Sequence, residues 1–176
     1  MQPMAHIPRE VYLAFLGQTI EIHWDYHAFL MAGIWMVMVP VCVTVIRYGK
    51  PRPTELGVRR KVSIRHREWW WFNVHKYGLY AAVVLSLGGL AMAMTVSKGF
   101  SGSIHSILGL ATIVAGCLQV VSGLFRGTHG GKYYHTANPE DHATWQGDHY
   151  SRTLRRRLFE AYHKTAGYFA LLFAVG

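Results

Sequence analysis

The sequence predicts an all-α integral membrane protein, a bundle of four transmembrane helices. Three observations carry that prediction. The 176-residue chain is 51% hydrophobic and only 15% charged, against the ~25% charge of ordinary soluble domains. Residues 26–46, 77–97 and 99–125 hold 21, 21 and 27 residues without Asp, Glu, Lys or Arg, and a bilayer core takes ~20 residues of helix. The net charge is +9, but the lysines and arginines fall in the gaps between these runs. That placement is a membrane topology signal and argues against a nucleic-acid partner.

Taken in order, residues 1–22 are moderately amphipathic and predict an outer-side segment, an interfacial helix lying along the surface. They lack the ordered basic region, apolar core and cleavage site of a signal peptide. Residues 23–176 form the membrane domain. Its first helix contains Pro40, which predicts a kink. A long connection follows at about 48–68. Trp69, Trp70 and Trp71 then mark one membrane interface ahead of helix two, as Trp24 marks the other ahead of helix one. The link from helix two to helix three, around residues 97–100, is very short and makes them antiparallel neighbours. A second long connection spans about 126–158. The last run, 161–176, carries Lys164 and has 16 residues; counted from Leu158 it nearly spans, at ~1.5 Å per residue. The chain stops where that helix would emerge and is read as ending early. Cys42 and Cys117 lie inside apolar runs and read as small hydrophobes.

Orientation follows from the basic residues. Residues 47–76 hold nine lysines and arginines and residues 126–164 hold seven, which leaves only Arg9 and Lys98 for the opposite side. Both long connections are therefore expected in the cytoplasm, with the N-terminus outside.

Four of the eleven histidines stand near a helix end with apolar sequence beyond them: His27, His75, His105 and His163, one on each helix. The topology puts His27 and His105 near the outer face, and His75 and His163 near the inner face. Polar groups at membrane depth are costly and usually functional. Two neutral imidazoles from different helices can hold one haem iron axially. The expected pairs are His27 with His105 and His75 with His163, and the expected cofactors are two haem b. With both axial positions filled, such haems serve electron transfer. Placed about one turn inside each face of a ~30 Å core, the irons would lie ~20 Å apart. No CxxCH motif is present, which argues against covalent attachment. A bare metal site would need further carboxylate or cysteine ligands. Lys76 and Lys164 each follow a histidine and are expected at the rim, reaching water or a haem propionate. His105, Gly109, Gly116 and Gly123 lie roughly along one face, which suits a flat macrocycle or close helix packing.

The segments HAFLMAGIWMVMVPVCVTVIRYGKP, WWWFNVHKYGLY, IHSILGLATIVAGCLQVVSGLFR and AYHKTAGYFALL resemble the four core helices of the cytochrome b561 family of eukaryotic type, with the form attached to DOMON domains the nearest likeness. The resemblance covers residues 23–176. It implies four helices around two b haems, transmembrane electron transfer, often from cytoplasmic ascorbate to monodehydroascorbate or ferric iron, and commonly a homodimer. It places the four ligands on His27, His75, His105 and His163. Arg47 matches a basic residue near the inner haem, and Arg157 matches an arginine shortly before the helix-four ligand. Asn73 stands where ascorbate-using members carry lysine.

The reading from these residues is a di-haem electron carrier, at most a transmembrane oxidoreductase, with lipid around it and a donor such as ascorbate, a quinol or a protein. Its rival is a haem-bearing anchor subunit of a larger respiratory or quinol-linked complex. A scaffold without cofactor is a third reading. In the second connection, His129, His135, His142 and His149 recur every six or seven residues, which fits a solvated loop or a metal or partner site. Arg155, Arg156 and Arg157 fit a lipid-facing anchor or an acidic ligand. Met31 shares a face with His27, facing a haem or a neighbouring helix. Gln119 lies mid-membrane and needs a hydrogen-bond partner.

Overall fold

A computed structural model describes residues 9–49, 70–128, 130–131, 135–138 and 140–175. Trp69, His6, His129, Lys132 and most of the first connection lie outside the described residues. Four long helices dominate: α1 (Trp24–Tyr48), α2 (Trp70–Ser97), α3 (Ile104–Leu124) and α4 (Leu154–Val175). Among the described residues α1, α2 and α3 are long and apolar enough to cross a membrane. The first turns of α4 carry Arg155, Arg156, Arg157 and Glu160, so its membrane-length stretch is less apolar. The helices pack in a ring: α1 on α2, α2 on α3, α3 on α4, and α4 on the middle of α1.

The segment ahead of α1 is a β-hairpin in place of the expected interfacial helix. Strands β1 (Arg9–Leu13) and β2 (Gln18–Ile22) pair antiparallel, with Val11 opposite Ile20 and Tyr12 opposite Thr19. These β-branched and aromatic residues favour a pleated strand over a helix. The N–H groups of Leu16 and Gly17 close the turn on the carbonyl of Leu13.

Pro40 shapes α1 as a change of helical pitch. Residues Gly33–Met38 form a π-helical stretch, and Pro40 stands in the first turn of the α-helix that resumes after it. Proline has no N–H for the preceding turn and crowds the carbonyl there; a wider turn relieves both. The stretch aims Trp35 into the core, where its Nε1–H donates to Ser86 Oγ at 3.1 Å. Ser86 is fully buried and Trp35 nearly so, beside Ile34, Val39, Ala82 and Ala170.

Large apolar side chains cover the outside instead. Phe29, Val84, Ile107, Val121, Phe169 and Leu172 are all exposed, from every one of the four helices. A bundle that presents such a surface is suited to lipid. The chain is an integral membrane protein with a helical membrane domain.

Two boundaries differ from the sequence reading. Helix α3 begins at Ile104, five residues later than expected. Gly99 and Gly102 take φ of 129° and 68°, which an α-helix cannot contain, and Ser103 caps the new start by accepting from the Ser106 N–H at 3.2 Å. Of the two tryptophans that open α2, Trp70 is exposed as an interface marker would be, whereas Trp71 is buried. A step of one residue is a ~100° rotation, enough to turn a ring from the lipid to the bundle.

The connection from α3 to α4 is held by a hydrogen-bond network. Asp148 Oδ2 accepts from the Thr128 N–H at 2.8 Å and from Thr128 Oγ1 at 2.9 Å, and Oδ1 accepts from Thr153 Oγ1 at 2.8 Å. Trp145 is buried, donates to the Asn138 carbonyl and stacks at 4.1 Å on His142. The Thr128 amide first, then the Thr153 and Thr128 hydroxyls, pull the Asp148 pKa down to about 2. A carboxylate lowered from its ordinary ~3.9 stabilises the fold above that value, and the contribution is lost as pH falls through the folded value. Amide exchange at Thr128 should therefore be protected at neutral pH and lose protection between about pH 4 and pH 2. In Asp148→Asn the protection should be weak at every pH. Equal protection at pH 6 and pH 2 would contradict this.

Candidate functional site: two histidine pairs at opposite ends of the bundle

Each of the four helices contributes one histidine to the space between helices. His27 is the fourth residue of α1, His75 the sixth of α2, His105 the second of α3 and His163 the tenth of α4. His27 and His105 face each other with ring centroids 6.2 Å apart and planes at 84°. His75 and His163 face each other at 6.3 Å and 67°. The first three rings are anchored near helix starts; His163 lies deeper along its helix, nine residues after the first residue of α4.

The nitrogens distinguish these pairs from ordinary edge-to-face rings, which share the same range of separations. His27 Nδ1 is 3.0 Å from the Gly89 carbonyl, and His75 Nδ1 is 3.3 Å from the Cys42 carbonyl. A carbonyl only accepts, so both Nδ1 atoms carry the proton. His163 Nδ1 is 2.9 Å from Ser122 Oγ, and that hydroxyl donates its own hydrogen to the Gln119 carbonyl at 2.8 Å. Ser122 therefore accepts from His163, and Nδ1 carries the proton there too. In all three rings Nε2 keeps its lone pair. Among the described residues His105 has no such bond. A ring nitrogen held by a carbonyl or hydroxyl, with the other left basic, is the usual state of a metal-ligating histidine.

The spacing suits one iron between two imidazoles. His27 with His105, and His75 with His163, would each hold one haem and supply its iron with imidazole nitrogen. Neither pair serves a bare ion as well: among the described residues no group of three or more His, Cys, Asp or Glu converges, and two imidazoles leave half of a tetrahedral site unfilled. A porphyrin brings four nitrogens of its own. A Cβ added at Gly109, one turn from His105, or at Gly167, one turn from His163, would meet no described atom within 4 Å. Gly116, by contrast, is closed off by Val83 and Trp35.

The two pairs are well separated. His27 meets α2 at Gly89, 14 residues beyond His75 (89 − 75), and His163 meets α3 at Ser122, 17 residues beyond His105 (122 − 105). At ~1.5 Å per residue these intervals are ~21 and ~25 Å along the bundle. Close helix approach keeps the carbonyls within reach. The Sγ of Cys42 lies where a Cβ on Gly78 would stand, and a Cβ on Gly89 would be 2.7 Å from Met31 Sδ. Met31 thus packs on α2.

Positive charge gathers at the His75/His163 end. The Arg126 guanidinium lies 4.3 Å from the Phe72 ring centre, and its carbonyl accepts from Arg156. Burial first, and Arg156 second, lower the pKa of Arg126. Arg156 also donates to Glu160 at 2.7 Å. It stands seven residues before His163 and so shares its helical face, which Arg157, six residues before, does not. Arg157 is exposed, as is Arg47 near the end of α1. Sequence reasoning named Arg156 only within the run Arg155–Arg157, put Arg157 ahead of it as the residue nearest the helix-four histidine, and passed over Arg126 as a site residue. Lys76 Nζ sits 4.9 Å from the Tyr77 ring centre. Lys164 is turned to Glu160, at 3.4 Å. In the connection His149 lies 3.8 Å from Glu160, and the His142 ring lies tilted against Trp145, 4.1 Å between centres.

Compared with models of known families, with curated proteins and with solved structures, the chain matches none. Functional assignment therefore rests on the residues and their geometry. Sequence reasoning missed Ser122, whose only signal is a hydroxyl in an apolar run, and the carbonyls of Gly89 and Cys42, which give no sequence signal.

Proposed function

We propose that the chain is a di-haem b-type cytochrome that carries electrons across a membrane. The observation that carries this reading is the duplicated imidazole pair: two facing rings at iron-bridging separation, at each of two levels ~20 Å apart, with Nδ1 engaged in three of the four rings. His27 and His105 would hold one haem b, and His75 and His163 the other. When bound, each haem would supply a one-electron couple.

The rest is the work of the chain. The Nδ1 hydrogen bonds of His27, His75 and His163 fix the tautomer and restrain the ring, leaving the Nε2 lone pair free for a metal. The apolar core around Trp35, Ile34 and Ala82 keeps water from the space between the two levels. Arg126, Arg156 and Lys76 concentrate positive charge at one end, suited to haem propionates or an anionic donor. The excess of lysine and arginine in the two long connections supports a cytoplasmic side for that end, with the hairpin on the other. The arrangement of one histidine on each of four helices, in two facing pairs, together with the motifs of the apolar runs, supports membership of the cytochrome b561 family. The fourth helix, α4, then crosses the membrane with its basic first turns at the interface.

The test is a reduced-minus-oxidised absorbance spectrum of the protein purified in detergent, with haem quantified per chain. A b-type spectrum with about two haems per chain is expected. A colourless protein from haem-replete cells would overturn the assignment.

A further inference from the structure

Three of the four histidines have an Nδ1 acceptor, and the three acceptors differ in kind. For His27 and His75 it is a main-chain carbonyl. For His163 it is the hydroxyl of Ser122, a residue of α3 that is itself nearly buried. That hydroxyl is already committed as a donor to the Gln119 carbonyl. It is therefore an acceptor toward His163 with a fixed orientation, polarised by the bond it donates. At the other end of the bundle, His105 has no Nδ1 partner among the described residues. Both ligands of the His75/His163 pair are thus held, against one of the His27/His105 pair.

We infer that Ser122 is a positioning residue that makes the two haem sites electronically unequal, holding the His75/His163 site at a lower reduction potential than it would otherwise have. The inference rests on the two-haem reading above. Its chemistry is that of an outer-shell hydrogen bond. Drawing the Nδ1 proton toward Ser122 Oγ raises the electron density at Nε2 and makes His163 a more basic ligand. A more basic axial ligand favours ferric over ferrous iron, so the couple becomes harder to reduce. The neighbouring guanidiniums of Arg126 and Arg156 act in the opposite direction, since positive charge favours the reduced state. Ser122 is thus the element that keeps a site close to these cations able to give its electron away. It is also the one acceptor of the three that a side-chain substitution can remove without moving the main chain.

The test is a potentiometric titration of the full-length protein in detergent, following the reduced b-type band, for wild type, Ser122→Ala and Ser122→Thr. In Ser122→Ala one midpoint should rise by the equivalent of about a tenfold change in the oxidised-to-reduced ratio, ~59 mV for a one-electron couple, and the other should stay in place. Ser122→Thr keeps the hydroxyl and should keep both wild-type midpoints. Loss of one haem in Ser122→Ala, with both retained in Ser122→Thr, would equally show that the hydroxyl holds the ring. Should the alanine variant not fold, Ser122→Cys offers a weaker acceptor and should move the same midpoint upward by less. Unmoved midpoints in Ser122→Ala, equal movement of both, or the same change in the alanine and threonine variants would overturn the inference. Failure of the two-haem reading itself is distinct, because it shows as wild-type protein without a haem band.

Discussion

Replacing His75 with alanine is expected to halve the haem content, from about two per chain to about one, while the remaining b-type band keeps its wild-type position. The expectation follows from the pairing. His75 faces His163 at 6.3 Å, and His27 of the other pair meets α2 at Gly89, more than a dozen residues beyond His75. Without His75 the site would keep a single histidine, His163 beside Ser122, which is too weak a hold to retain a haem through purification. Double variants make the pairing itself testable. His75→Ala with His163→Ala removes both ligands of one site and should still leave about one haem per chain. His75→Ala with His105→Ala damages both sites and should leave little or none. His142→Ala, in the connection, should leave both. Equal haem loss in the two double variants would mean that the rings are paired otherwise, and unchanged content in His75→Ala would remove that residue from the ligand set.

The second large effect is on stability. Trp35→Ala should destabilise the bundle by about 3 kcal/mol, measured by denaturant-detergent unfolding or as a fall in Tm. The low end of the range seen in soluble cores applies, because in lipid the lost transfer term is small and the cavity and packing terms remain. The indole fills the middle of the bundle between the two histidine levels, and its Nε1–H satisfies the fully buried hydroxyl of Ser86. Trp35→Phe keeps most of the volume and loses only the hydrogen bond, so it should cost about 1 kcal/mol. A loss in Trp35→Ala no larger than in Trp35→Phe would show that the site collapses around the smaller residue. Such a variant should still bind haem if folded, since no histidine depends on Trp35 for a hydrogen bond.

The membrane-length helices were legible because a bilayer imposes a one-dimensional rule: about twenty residues must go by without a charge. That rule finds α1, α2 and α3 and is indifferent to their ends. It set the start of α3 at Gly99, where two glycines at positive φ and the Ser103 cap postpone the helix to Ile104. It could not foresee the π-helical turn either, since Pro40 reports that the helix must yield and leaves open how. The hairpin was misread for a related reason. Residues 9–22 are amphipathic under either period, and it is the β-branched content of Val11, Thr19, Ile20 and Ile22, with a turn at Gly17, that selects strands.

The histidines stand out in sequence for the same reason that the helices do. A ring with two nitrogens inside an apolar run is conspicuous, and one per helix is a pattern. Their partners are not conspicuous. Ser122 is 41 residues from His163, Gly89 is 62 residues from His27, and Cys42 is 33 residues from His75. Two of the three act through the main chain, which every residue possesses. The choice between Arg156 and Arg157 turns on a 100° rotation about α4, decided by which face of that helix packs on α3.

The sequence by itself determined where polar groups enter the membrane-length helices and how many there are, because burying an imidazole in an apolar run is costly enough to be written into the residue pattern. Only the tertiary structure decided which nitrogen of each ring is occupied, how far apart the facing rings stand, and which basic side chains share their end of the bundle. Those depend on helix rotation and on main-chain groups from distant segments, quantities that no local pattern of residue types encodes.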